Sequence, residues 1–280
     1  MSMYYFLISG LPDLLVGNRN DSHIFSPADF LSFCEGQMSA KDFAALKKIY
    51  ILNDIKNVIS DKSDEVFVEP SYYSKEEFDE NRKDPDTFFP FIADYYQDMK
   101  SERRLYPQMT AEDELIARFY ADLDGFAAGN DFLREYFRFE LVLRNVLTIA
   151  NMRKAGEDPA DYVITTEDFG DNIVKSSSPD LGLGADYPFV AKINELVDSG
   201  DLVQLEESLD KIRFDYIDNL IGYDTFSLNV VMAYGIKLLC AYRWQSLSAE
   251  KGRAIFEQII AQIRENIKFS DEFSVVGGKR

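Results

Sequence analysis

Apolar residues recur three and four positions apart through most of this chain, and no convincing run of alternating strand residues interrupts them. That rhythm predicts helices. Ser26-Pro27 reads as the N-cap and first residue of a helix to about Gln37. Ser39 caps a longer one to about Ser60, with Phe43, Leu46, Ile49, Tyr50 and Leu52 at helical spacing and Asp42 at the capping-box position. Ser74-Lys-Glu-Glu77 is a capping box opening a short acidic helix. Asp84-Pro85 opens another, in which Phe88, Phe89, Ile92, Tyr95, Tyr96 and Met99 form an aromatic stripe that reads as a core face. Thr110 with Asp113 starts a helix to about Ala128, and Gly129-Asn130 separates it from a long helix over Asn130–Lys154.

The first segment, Tyr4–Ser9, reads equally as a short strand or the opening turns of a helix, ended by the turn signal Gly10-Leu-Pro-Asp13. Asp61–Pro70 is a connector. Gly156–Pro188 is the least regular stretch, with a short helix expected near Thr166–Val174. Asp186–Ser199 and Asp201–Leu220 form a helix pair broken at Gly200, and an almost wholly apolar helix follows at Phe226–Trp244. Ala249–Phe269 places Ile255, Phe256, Ile259, Ile260, Ile263 and Ile267 on one arc, ahead of a frayed tail at Ser274–Arg280. The expected class is all-α, a multi-helix bundle or funnel. The chain forms one helical domain, or two helical lobes (1–155 and 186–270) joined by the irregular segment 156–185.

At 280 residues, 46% of them hydrophobic, the chain has enough apolar surface for a large core. The net charge of −19 disfavours nucleic acid and anionic membrane, because phosphate binding needs clustered Lys and Arg. It favours a basic protein surface, or plain solubility. Two cysteines, Cys34 and Cys240, sit far apart in apolar contexts, which suits reduced core thiols in the cytoplasm. No apolar stretch reaches the length of a membrane span, so a soluble protein is expected.

Catalytic motifs are sparse. His23 is the single histidine and lies in a polar loop, so a catalytic triad or a common zinc site has little to work with. No phosphate-binding glycine loop is present, and Asp168-Phe169-Gly170 lacks the partner motifs of a kinase. The acidic clusters Glu112-Asp113-Glu114 and Asp122 with Asp124 read as solvated helix faces. A carboxylate-held magnesium is the catalytic alternative for them. We expect no cofactor and no enzyme.

The strongest functional signal is polar residues on an apolar helix face: Glu140, Arg144 and Asn151 share a face with Leu133, Tyr136, Phe137 and Leu147. At i, i+4, Glu140 and Arg144 are expected to pair along the helix, as an internal bridge or an interface. Lys237, Arg243 and Trp244 interrupt the late apolar helix in the same way. Arg243 with Trp244 is a candidate partner anchor, or Trp244 plugs a helix junction.

Three segments resemble known proteins. Glu140-Leu-Val-Leu-Arg144-Asn145-Val-Leu, followed by Lys154-Ala-Gly156, is similar to a helix of the C-type subunit of V/A-type rotary ATPases, whose eukaryotic counterpart is the d-type subunit. Val230-Val-Met-Ala-Tyr234-Gly-Ile-Lys237-Leu-Leu resembles that family's late helix, with Cys240-Ala-Tyr-Arg243-Trp in place of its usual continuation. The opening Tyr4-Tyr5-Phe-Leu-Ile-Ser-Gly-Leu-Pro-Asp13 looks like the start of an uncharacterised bacterial family encoded beside V-type ATP synthase genes. The resemblance implies a funnel of helices that sits on the membrane rotor ring and receives the central shaft without catalysing anything. Its partners would be the central-stalk shaft proteins and the rotor ring, reached from the cytoplasmic side. Glu140, Arg144, Asn145, Tyr234, Lys237, Arg243 and Trp244 would be its contact residues. The competing expectations are a magnesium-dependent hydrolase and a helical adaptor unrelated to rotary motors.

Overall fold

The computed structural model describes residues 3–14, 24–60, 66–166 and 170–246. His23, Asp168, Phe169, the helix expected at 249–269 and the tail at 274–280 lie outside these residues. The described residues are helical throughout, with no sheet.

The undecided opening segment is a helix, α1 (Tyr5–Ser9). α2 (Pro27–Glu35) starts as its sequence predicts, with the Ser26 hydroxyl accepting from the Asp29 N–H at 3.1 Å. Ser39 caps α3 (Ala40–Lys47) through the Asp42 N–H, but the Asp42 carboxylate accepts from the Tyr4 hydroxyl rather than closing the box. The long helix expected to Ser60 is broken by a 3-10 turn at Lys48–Tyr50, beyond which α4 (Ile51–Ser60) continues.

α5 (Lys75–Asn81) carries the complete capping box of Ser74 and Glu77. Asp84-Pro85 opens only a 3-10 turn, and α6 (Pro90–Lys100) begins five residues later. α7 (Ala111–Ala121) is capped by Thr110, and a kink at Asp122 sets off α8 (Leu123–Phe126). α9 (Asp131–Ala155), capped by Asn130, is the longest element and spans about 37 Å at 1.5 Å per residue. After α10 (Asp171–Lys175) come α11 (Val190–Ser199), α12 (Leu202–Ile221) and α13 (Leu228–Ser246).

Two hydrophobic clusters share this framework. One joins α2, α3, α4, α6, α7, the first half of α9 and α13. Its centre is a herringbone of rings in which Phe119 lies 5.0 Å from Phe137 and 5.1 Å from Phe126, edge to face, a favoured aromatic arrangement. The predicted aromatic stripe belongs here: Phe88, just ahead of α6, and Ile92 and Tyr95 on it are buried. The second cluster packs α11 and the start of α12 on the later half of α9.

α9 belongs to both clusters, and α13 returns to pack on α2 and α3. Gly235 permits that return. A Cβ there would meet Ile49 Cδ1 at 2.6 Å and Phe30 Cε1 at 2.9 Å, so any larger residue would force those side chains to shift.

Buried polar side chains tie the loops down. The Asp54 carboxylate accepts from the N–H groups of Tyr72 (2.7 Å) and Tyr73 (3.0 Å). The Asn57 amide grips Val68 from both sides, accepting from its N–H at 2.7 Å and donating to its carbonyl at 3.0 Å. No described helix is long and apolar enough to cross a membrane.

Candidate functional site

Polar residues on apolar helix faces meet in a seam between α7, α9, α12 and α13. Glu140 and Arg144 are both there, but they do not pair with each other as their spacing predicts. The Glu140 carboxylate accepts from Arg213 on α12, Nε at 2.7 Å and a terminal nitrogen at 3.2 Å. Arg144 turns the other way, to Asp113 on α7. The partners are tertiary because Arg213 offers Glu140 a two-pronged, largely shielded contact, where a charge-assisted hydrogen bond is stronger than in a solvated i, i+4 pair.

Asp210 on α12 is the hub of the seam and only 1% exposed. Its carboxylate accepts from Trp244 Nε1 at 2.6 Å and from Arg243 at 3.0 Å to each oxygen, with Arg213 at 3.3 Å. Arg243 reaches on to Glu206 at 2.8 Å. Trp244 thus plugs the helix junction, and its indole is turned inward. Burial opposes charge on Arg213, but Glu140 beside it holds the guanidinium well above its ordinary value. Burial drives the nearby Tyr136 and Tyr120 phenols up, with the Glu140 charge adding to each. The same burial, with Asp210 nearby, pushes the half-buried Cys240 thiol up to about 12.

The remaining candidates are also engaged within the chain. Asn145 is fully buried and holds Ile164 by both ends of its amide, donating to the carbonyl at 2.8 Å and accepting from the N–H at 3.0 Å. Lys237 bridges to Asp218 and lies 5.1 Å above the Phe214 ring. Tyr234 packs on Phe30 at 5.3 Å. Asn151, expected on the apolar face, is exposed.

Sequence reading missed Asp210 and Arg213. The signal was available: both lie on the face of α12 that carries Leu205, Leu209 and Ile217, so they are charges on an apolar stripe like those of α9. Glu114 was misplaced. It is buried, not solvated, and accepts from Arg104 Nε (2.8 Å), Arg118 (2.9 Å) and the Leu105 N–H (3.0 Å). Burial pushes its carboxyl up, but these three donors outweigh that and leave it below the usual range.

Beside the seam, a half-open cavity of about 730 Å³ is lined by Tyr120, Leu123, Arg138, Leu141, Val142 and Tyr187, with Asp124 at its mouth. Asp124 is mostly exposed and paired with Arg134 at 3.1 Å. Among the described residues no group of three or more His, Cys, Asp or Glu side chains is placed to hold a metal.

A family model described as a protein of unknown function (DUF2764) matches residues 1–267. The chain belongs to that family. This DUF2764 protein is also 31% identical, over 139 residues, to an uncharacterized protein of Chlamydia pneumoniae; the match takes in 48% of this chain and 51% of the relative. The DUF2764 chain thus matches about half the length of that curated relative. No solved structure matches it.

Proposed function

We propose that this chain is a non-catalytic helical adaptor, the central-stalk piece of a V/A-type rotary ATPase that couples the shaft to the membrane ring. The observation that carries the reading is the partly buried seam. Glu140–Arg213, Arg144–Asp113 and Asp210–Arg243 join four helices by ion pairs, so the helices resist sliding past one another. A coupling element must transmit force without changing shape, and dense helical packing locked in register suits that task. The resemblance of residues 140–156 and 230–239 to the C-type adaptor of these motors supplies the choice of host machine.

The contact residues expected from sequence act in this reading as the internal frame, since Asn145 and Trp244 face inward. Docking falls to the surface around them. No observation favours the magnesium-dependent hydrolase over this reading. The test is affinity purification of the tagged chain from native membranes in mild detergent, followed by mass spectrometry. Shaft and rotor-ring proteins in the eluate support the proposal. Recovery of the chain alone, from a host whose motor survives the same extraction, overturns it.

A further inference from the structure

Among the described residues, large aromatic side chains on α1 and in the turn between α12 and α13 are exposed. Phe6 on α1 is 93% exposed, Tyr223 in the turn between α12 and α13 is fully exposed, and Met3 and Tyr5 are about half exposed. They belong to one built structure. The Tyr4 N–H donates to the Phe226 carbonyl at 2.7 Å, and the Tyr5 ring lies 4.4 Å from that of Phe226. Tyr4 itself is buried, with its hydroxyl on Asp42. The turn that presents Tyr223 is thereby fastened to the helix that presents Phe6. Isolated exposed apolar residues are ordinary, but large exposed rings on two segments fastened together mark a contact surface.

The charge of this corner indicates what covers it. The ring-bearing segments and α3, which Tyr4 touches through Asp42, also bear Asp13, Asp42, Asp218 and Asp224 against Lys41 and Lys237, of which Asp218 and Lys237 pair with each other. The whole chain has 49 acidic residues against 30 basic ones. An acidic rim repels nucleic acid and anionic lipid, and it attracts a surface where Lys or Arg flanks an apolar stripe.

We propose that the Phe6–Tyr223 corner is a docking surface for a basic amphipathic helix of a partner protein. Phe6, Tyr5 and Tyr223 take its apolar stripe, and Asp13 and Asp224 take its flanking cations. Aromatic anchors of this kind dominate binding energy where they are fully covered. The inference rests on the adaptor reading, and it names the chemistry of the partner that reading requires.

The test is titration of the full chain with a fluorescent synthetic amphipathic Leu/Lys helix, compared with the double variant Phe6→Ser/Tyr223→Ser. Both side chains are exposed, so the variant should keep its unfolding midpoint, and its net charge is unchanged. The expected result is an affinity at least about tenfold weaker in the variant, with a Leu/Glu helix failing to bind either protein. Equal affinity of the two proteins overturns the proposal, since charge alone would then account for binding. Sedimentation that finds a wild-type dimer and a monomeric variant also overturns it, because a second copy would be the occupant. Failure here while motor proteins still co-purify leaves the adaptor reading standing. Tenfold discrimination here with no motor proteins recovered keeps the surface and removes the rotary host.

Discussion

Glu140 on α9 receives both prongs of the Arg213 guanidinium from α12, at 2.7 and 3.2 Å, and leaves Arg144, one turn along its own helix, to Asp113. The pair is largely shielded from water, at 15% and 19% side-chain exposure. Removing one partner strands the other's charge. We predict that Glu140→Ala and Arg213→Ala each lower unfolding stability by about 3 kcal/mol, and that Arg144→Ala, whose pair is about a third exposed, costs about 1 kcal/mol. Urea unfolding of the double-mutant cycle discriminates further: coupling of Glu140 to Arg213 should be large, and coupling of Glu140 to Arg144 close to zero.

Asp210 and Trp244 give a second prediction. Trp244 is the sole tryptophan, so its emission reports on the junction of α12 and α13. Asp210→Ala removes the acceptor of its indole N–H and the partner of two arginines. Its expected cost is about 3 kcal/mol or more, with a red-shifted native spectrum as water reaches the indole. Trp244→Phe, which loses the hydrogen bond but keeps a ring, should cost less, about 1–2 kcal/mol.

How much of this was open to sequence reading depends on range. The caps at Ser26, Ser39, Ser74 and Thr110 were legible because an N-cap bonds to a backbone group three residues away. The stripe holding Glu140 and Arg144 was legible for the same reason. Their partners were not, since Arg213 is 73 residues from Glu140 and Asp113 is 31 from Arg144. The breaks at Lys48–Tyr50 and Asp122 were missed too, because no proline or glycine stands at either to mark it. Glu114 shows the converse error: three adjacent acids look solvated until Arg104 and Arg118 close over one of them.

The Asn145 clamp predicts a local effect. Asn145→Leu keeps the volume but leaves the Ile164 N–H and carbonyl without partners in the interior. A loss of about 2–3 kcal/mol is expected, with hydrogen exchange at the Ile164 amide accelerated more than at helix amides. Uniform acceleration across the chain would show that the clamp does not act locally.

Asp54 makes stability depend on pH with an unusual sign. Burial pushes its carboxyl from 3.8 to about 7, against the opposing pull of the Tyr72 and Tyr73 N–H groups. Between about pH 4 and pH 7 the folded chain therefore keeps a proton on Asp54 that the unfolded chain releases. Its contribution is present below that window and is lost as pH rises through it. Urea midpoints of wild type minus Asp54→Asn should decline from pH 5 to pH 7. A flat difference would mean that Asp54 is ionised throughout.

The return of α13 across Gly235 onto α2 and α3 sets the order in which the protein can be made. Phe30 and Ile49 leave the ribosome early, and the helix that seals them is encoded nearly two hundred residues later. Throughout synthesis of the intervening chain the first hydrophobic cluster stands open along one side. Completion of the amino-terminal half is thus an event of the carboxy-terminal half, and a chain halted before α13 exposes a sticky face to whatever surrounds it.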